Sequence, residues 1–295
     1  MKRLFIGALV IATAACNKTT VSAPDFSVTA EATTIALSDT AKFAFTGNPG
    51  YITFYSGEPG HRYEYRDRTT ADGKPLLQFT SYMQTGAQTN TLQLEMSTDF
   101  SGSYDSASIY NAHWTDITSR AILSTGTDNT KSGVLDLSDF LNGGKGVYFA
   151  FKFTGAAGSA QRTWTIKNFA LNNVLTADSS VYPVLSLPMI DSAWKAVNLK
   201  NPAVVWSFNT TQLQVKGTTT TSSLATENWL ISKALFMNRV TEDIGVQLKN
   251  MTTRLSAYTY NYTTPGTYTA TFAVSNTTKY DSKSDAKSVS MTVTP

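Results

Sequence analysis

Cysteine is almost absent from this chain: Cys16 is the only one in 295 residues. No internal disulfide can form, so stability has to come from a packed core. Histidine is nearly as scarce, with only His61 and His113. Neither stands in a His-Glu-x-x-His run or beside a spaced Cys/His set, which excludes the usual zinc sites. No Gly-x-Ser-x-Gly elbow nominates a serine nucleophile, although a Ser-His-Asp triad needs no adjacency in sequence. The run Gly143-Gly144-Lys145-Gly146 has neither P-loop nor dinucleotide spacing and reads as a turn. Charged residues make up only 15% of the chain, and long stretches rich in Ala, Leu, Glu and Lys are missing. The formal charge is +3, and setting aside the N-terminal Lys2 and Arg3 leaves +1. No Lys/Arg cluster lies beyond those two, so a nucleic-acid partner has no electrostatic support. Past the N-terminus, no apolar run approaches the ~20 residues of a membrane-spanning helix.

What is present at the N-terminus is an export pattern. Met1-Lys2-Arg3 is a short positive segment, Leu4 to Ala12 is apolar, and Ala14-Ala15-Cys16 follows. Small residues before a cleavage point end a secretory signal. With a cysteine placed next, the pattern resembles a bacterial lipobox, with Thr13 where Leu is commoner. The resemblance implies that residues 1–15 are removed and that Cys16 becomes a lipidated first residue. Residues 16–24 then form a polar tether, and the lipid is the anchor. That points to a membrane-attached location, the outer membrane and cell surface, with the periplasmic face as the alternative.

The remainder reads as strands. Thr, Tyr, Phe, Val and Trp suit pleated, half-buried surfaces, and aromatics reach 12% of the chain. Phe43 and Phe45 share a face of an alternating run at 41–47. YITFYSG and a short run at Tyr63-Glu64-Tyr65-Arg66 follow, giving about four strands before residue 70. At the other end, 258–262, 267–276 and 288–293 alternate, with a Thr264-Pro265-Gly266 turn between the first two. Four and three strands make neither end self-sufficient, whereas about seven build an Ig-like sandwich. The expected organisation is therefore an Ig-like domain split into residues 25–68 and 255–295, with 69–254 inserted at an exposed loop. Two independent domains in series are the alternative. The middle also reads as strands, including LLQFTSYMQ, NTLQLEMST, SIYNAHWTDI, GVYFAFKF and TWTIKNFAL. Their short, regular spacing argues for a sandwich or jelly roll.

Two resemblances accompany this pattern. Tyr260, Pro265, Gly266, Thr267, Tyr268, Phe272 and Asn276 resemble the second half of a PKD-type Ig-like domain, and residues 26–60 its first half. Gly57-Glu58-Pro59-Gly60 stands where that family carries an acidic Gly-Asp-Gly loop. Residues 113–171 resemble the jelly roll of cleaved-adhesin domains. The likeness runs through Trp114, Ile117, Thr118, Leu135, Asp136, Leu137, Ser138, Gly144, Lys145, Val147, Tyr148, Ala150, Phe151, Trp164, Ile166 and Asn168. Glu227 to Lys233 echoes the same class. The stretch Ile52 to Glu58 with His61, Tyr63, Tyr65 and Arg66 is similar to an uncharacterised family of Bacteroidetes-type surface lipoproteins, a domain of unknown function often linked to glycan-uptake loci. That resemblance implies location and architecture, and no activity. The fold expected is all-β: a split Ig-like (PKD-like) sandwich with an inserted jelly-roll β-sandwich.

Candidate sites follow from chemistry. Sugars stack on planar aromatics while polar side chains meet their hydroxyls. Trp114, Trp164 and Trp229 sit in alternating patterns and read as core. Trp194 and Trp206 lie in less regular, polar surroundings and are candidate platforms, as are Tyr55 and Tyr63 with Arg66 around the Ser56–Gly60 loop. Asp99, Asp105 and Asp128 lie in loop-like stretches and are candidate ligands for a structural Ca²⁺. Paired carboxylates for glycoside hydrolysis, such as Glu58 with Glu64 or Asp99 with Asp105, are not marked by context. The triplets Asp39-Thr40-Ala41, Asp105-Ser106-Ala107 and Asp191-Ser192-Ala193 resemble bacterial O-glycosylation sites and equally read as turns. The expected function is a non-catalytic surface lipoprotein that binds a polysaccharide or supports a SusC/SusD-like uptake complex. An adhesive or structural protein-binding lipoprotein is the alternative, followed by a glycoside hydrolase or esterase.

Overall fold

The computed structural model describes residues 20–187, 193–218 and 224–295. Cys16, the rest of the lipobox-like segment and most of the Asp191-Ser192-Ala193 triplet lie outside those residues. The chain divides into two compact units, one running up to Asp67 and resuming at Glu242, the other spanning Arg68–Thr241. It is almost wholly β.

The first unit opens with β1 (Phe26–Ala30), β2 (Thr34–Ala36), β3 (Ala41–Gly47) and β4 (Tyr51–Tyr55). The second unit holds β5 (Gly73–Gln84), β6 (Leu92–Ser97), the short helix α1 (Ser106–Asn111), β7 (Thr115–Asp116), β8 (Thr130–Lys131) and β9 (Leu135–Asp136). It continues with β10 (Tyr148–Gly155), β11 (Thr163–Leu175), β12 (Val181–Ser186), β13 (Trp194–Lys200), β14 (Trp206–Phe208), β15 (Gln212–Lys216) and β16 (Thr226–Ser232). The chain re-enters the first unit with β17 (Val246–Lys249), β18 (Ala257–Tyr260), β19 (Gly266–Thr277) and β20 (Ser282–Thr294).

In the first unit, β1-β3-β18 form one sheet and β17-β4-β19-β20-β2 the other. All described pairings are antiparallel except β2 with β20, which run parallel. This order follows the immunoglobulin-type sandwich: one sheet of its first, second and fifth strands faces another built around the third, sixth and seventh. The alternation of β3 buries Ala41, Phe43 and Phe45 and exposes Lys42, Ala44 and Thr46. No disulfide joins the sheets, and Phe272 of β19 stands at the centre instead. Its ring lies 5.1 Å from Phe43, 5.0 Å from Phe45 and 4.9 Å from Phe54. Such aromatic pairs add to the area they bury. At the start of β19 the Tyr268 hydroxyl donates back to the Thr264 carbonyl at 2.8 Å, the tyrosine corner of this architecture. At the end of β3 the chain turns through Gly47 with φ +84°, where a Cβ would lie 2.0 Å from the Asp25 carbonyl oxygen. Only glycine fits there.

Two expectations are corrected in this unit. The run Tyr63–Tyr65 is a 3-10 turn rather than a strand. The re-entry point is Glu242 rather than residue 255, because β17 already pairs with β4.

In the second unit, β13-β16-β10-β6-β7 face β14-β15-β11-β5-β8, with β12 and β9 flanking the latter sheet. Leu92, Leu94 and Met96 of β6 and Phe149, Phe151 and Phe153 of β10 point into the shared core with Trp164, Ile166, Phe169 and Leu213. Alternation turns Gln93, Glu95 and Ser97 to the other face of β6, beside Ala150 and Lys152 of β10. A small cluster, Phe100, Ile109, Trp229 and Ile231 with Trp114 and Tyr148 against it, covers part of that outer face. The stretch read as a strand over 108–117 begins instead as α1. Asp105 caps it, accepting from the Ser108 amide at 2.9 Å, and such a cap favours helix over strand.

Candidate functional site

Among the described residues of the second unit lies a cleft of about 700 Å³. Drug-sized and saccharide-sized ligands occupy clefts of roughly 300–1,000 Å³. Its apolar lining is the half-buried Met83 and Leu123, with the core residues Leu92 and Trp164 behind them almost fully buried. Its walls are hydroxyls and amides from Thr89 to Gln93, from Thr118 and Ser119, and from Ser124 and Thr125, with Asp116 as the one ionisable side chain. The walls are held by the fold. The Trp164 indole donates to the Thr91 hydroxyl at 2.8 Å. The Thr118 hydroxyl accepts from the Leu94 amide at 2.8 Å, which ties the turn after β7 to β6. The Ser124 amide donates to the Ser81 hydroxyl at 2.9 Å.

A second hollow of about 550 Å³ shares Thr89 and Thr91 with the first and continues to Thr154, Lys200, Thr226 and Glu227. Its charges cancel locally, since Lys200 pairs with Glu227 at 3.1 Å.

Asp116 is exposed and held in place. Its carboxylate accepts from the Thr118 amide at 2.8 Å and from the Gln93 side-chain amide at 3.1 Å. Partial burial pushes its pKa up, but these donors and the Lys152 charge outweigh that and hold it below the usual carboxylate range. Glu95 lies directly opposite on β6. Cross-strand partners of this kind have Cβ atoms about 4.5–5.5 Å apart. Glu95 is 5% exposed. Among the described residues no hydrogen-bond donor meets its carboxyl. Burial, and then the Asp116 charge, push its pKa up to about 7 against the opposing pull of Lys152. Two neighbouring carboxyls are thus driven apart: Asp116 stays ionised, while Glu95 holds a proton close to neutrality.

The residues nominated from sequence fall elsewhere. Trp194 and Trp206 are 7% and 4% exposed. Trp194 packs edge-on against Phe169 at 5.3 Å, and Trp206 lies 6.0 Å from Phe151. Neither offers a ring face to solvent, so the expectation of stacking platforms there is corrected. Their polar sequence neighbours disguise core positions. Tyr55, Tyr63 and Arg66 do come together in the first unit, but they spend their faces on one another. Tyr55 meets Tyr63 edge-on at 5.3 Å, and the Arg66 guanidinium lies 4.1 Å over the Tyr63 ring. Arg66 also donates to the Tyr63 carbonyl at 2.9 Å.

The calcium candidates are not assembled into one cluster. Asp99 accepts from the Ser97 hydroxyl and the His113 amide, Asp105 caps α1, and Asp128 meets Asn129 and Lys167. Among the described residues, no group of three or more His, Cys, Asp or Glu side chains gathers as a metal site. Glu58 is 5% exposed and structural. It accepts from the Tyr260 hydroxyl at 2.6 Å and from the Thr263 amide and hydroxyl at 2.9 and 2.7 Å. Asp116, Glu95 and Gln93 had no marker in sequence beyond the alternation of 92–96, which turns Gln93 and Glu95 away from the core.

A family model described as a domain of unknown function, DUF5017, matches residues 15–194. The chain belongs to that family. The matched segment covers β1–β4 and the second unit as far as the start of β13, so Asp116, Glu95 and the walls of the larger cleft lie within DUF5017. No curated protein and no solved structure matches the chain.

Proposed function

We propose that this protein is a lipid-anchored surface protein that binds a polysaccharide in the cleft of its second unit, without chemistry of its own. The observation that carries this reading is the composition of that cleft: half-buried Met83 and Leu123 among Thr, Ser, Asn and Gln side chains, with one ionised carboxylate. Pyranose rings present apolar C–H faces and a rim of hydroxyls, and such a lining meets both. The continuation into the second hollow suits a linear chain of several sugars. The lipobox-like Ala14-Ala15-Cys16 supports attachment through Cys16. Resemblance to PKD-type and cleaved-adhesin modules supports a cell-surface setting, with a SusC/SusD-like uptake complex as partner.

Affinity electrophoresis over a panel of soluble polysaccharides tests the binding. Retardation by at least one member is the expected result, and none retarding the protein would overturn the reading. Fractionation tests the anchor: Cys16→Ala should move the chain from membranes to the soluble fraction, and continued membrane association would contradict it.

A second reading, glycoside hydrolysis, takes its one support from the Glu95–Asp116 pair, of which Asp116 alone lines the cleft: one carboxyl is protonated near neutrality and its neighbour ionised, the pattern of an acid and its partner. Reducing-sugar release that is abolished by Glu95→Gln would select it over simple binding.

A further inference from the structure

We infer that the cleft discriminates against anionic glycans, and that Asp116 is the residue that does so. The inference rests on the glycan-binding reading and names the ligand class of the same site. Among the described residues, the lining of the larger hollow contains no Lys or Arg, and Asp116 is its only charged side chain. The adjoining hollow adds no net charge, because its one lysine, Lys200, is paired with Glu227. Lys152 of β10 does not line either hollow; its Nζ is 5.3 Å from the centroid of the Trp229 ring.

Asp116 is also set to act on a ligand. The Thr118 amide, the Thr118 hydroxyl and the Gln93 side chain donate to it. A carboxylate offers about four lone-pair sites, so acceptor capacity in its lone pairs remains for an incoming donor. A hydroxyl or amine of a sugar satisfies those lone pairs. A uronate or sulfate brings a second negative charge to acceptors that cannot donate. Like charges meeting in a partly desolvated cleft cost enough to weaken binding by about tenfold.

The test uses matched pairs of polysaccharides that share a backbone: hydroxyethyl cellulose with carboxymethyl cellulose, soluble starch with carboxymethyl starch, and methyl-esterified with de-esterified homogalacturonan. Affinities are measured for the full chain, for Asp116→Asn, and for Ser119→Lys, which adds a cation to an exposed position of the lining. The expected result is that, on whichever backbone binds, the carboxylated member binds about tenfold more weakly. Asp116→Asn narrows that gap, and Ser119→Lys closes or reverses it. Equal or tighter binding of the carboxylated member by the natural chain overturns the inference and leaves the glycan reading standing. A gap unchanged in both variants overturns the assignment to Asp116. Binding of no member of any pair removes the glycan reading itself, and the inference with it.

Discussion

Replacing Glu95 with Gln should stabilise the second unit at pH 8 and leave it nearly unchanged at pH 4. In the folded chain burial and the facing Asp116 raise the Glu95 pKa from 4.5 to about 7, with Lys152 opposing. A folded pKa above the unfolded one means that the folded state binds the extra proton between those two values. Its contribution is fully present below pH 4.5 and is lost as pH rises through about 7. A tenfold change in proton affinity corresponds to about 1.4 kcal/mol, so the ionised residue costs at most about 3 kcal/mol at pH 8. The exposure of Asp116 screens its share and makes this an upper bound. Glutamine stays neutral at every pH and keeps the shape of the protonated acid. The assay is urea unfolding followed by tryptophan fluorescence. All five tryptophans lie between residues 114 and 229, so the signal reports the second unit alone. The difference between variant and natural chain should grow by about 2–3 kcal/mol from pH 4 to pH 8, the part of that cost left after screening. Parallel stability curves across this range would refute the account of a buried, proton-holding Glu95.

Three further outcomes follow from the packing. Glu58→Gln should destabilise the first unit by about 1–3 kcal/mol by disrupting acceptors used by Tyr260 and Thr263. Those donors outweigh burial and hold the Glu58 pKa below 4.5, so its contribution is present above that pH and fades in acid; amide exchange at Thr263 should show a shallower acid dependence in the variant. Tyr268→Phe should cost about 1 kcal/mol through loss of the corner hydrogen bond to Thr264, read by thermal unfolding followed by tyrosine circular dichroism. Trp206→Ala should cost about 3–5 kcal/mol by emptying a core position; an unfolding midpoint equal to that of the natural chain would contradict its burial.

Much of the sandwich was legible because one buried face imposes a period of two. Ala41, Phe43 and Phe45 in β3 and Tyr268, Ala270, Phe272 and Val274 in β19 declare their inward side directly. The pattern misleads where a local device overrides that period. Asp105 supplies a cap that starts α1 in a stretch otherwise rich in strand formers. Trp194 opens β13, where most other residues are exposed or half-buried, so a single inward ring looks like a surface one. The cleft was hidden for another reason. Asp116 meets Glu95 only through the pairing of β6 with a two-residue strand, and that register has no sequence mark. Lys249 was equally silent: it is 3% exposed, with its ammonium on the Pro49 and Asn250 carbonyls at 2.6 and 3.1 Å.

Blocking the cleft tests the central claim most directly. Thr89 is exposed and lines both hollows, so Thr89→Trp places an indole at their junction without entering the core. Isothermal titration with whichever polysaccharide retards the natural chain should show binding lost or weakened at least tenfold in Thr89→Trp, with an unchanged unfolding midpoint. Undiminished binding by that folded variant would contradict the assignment of the glycan to this cleft.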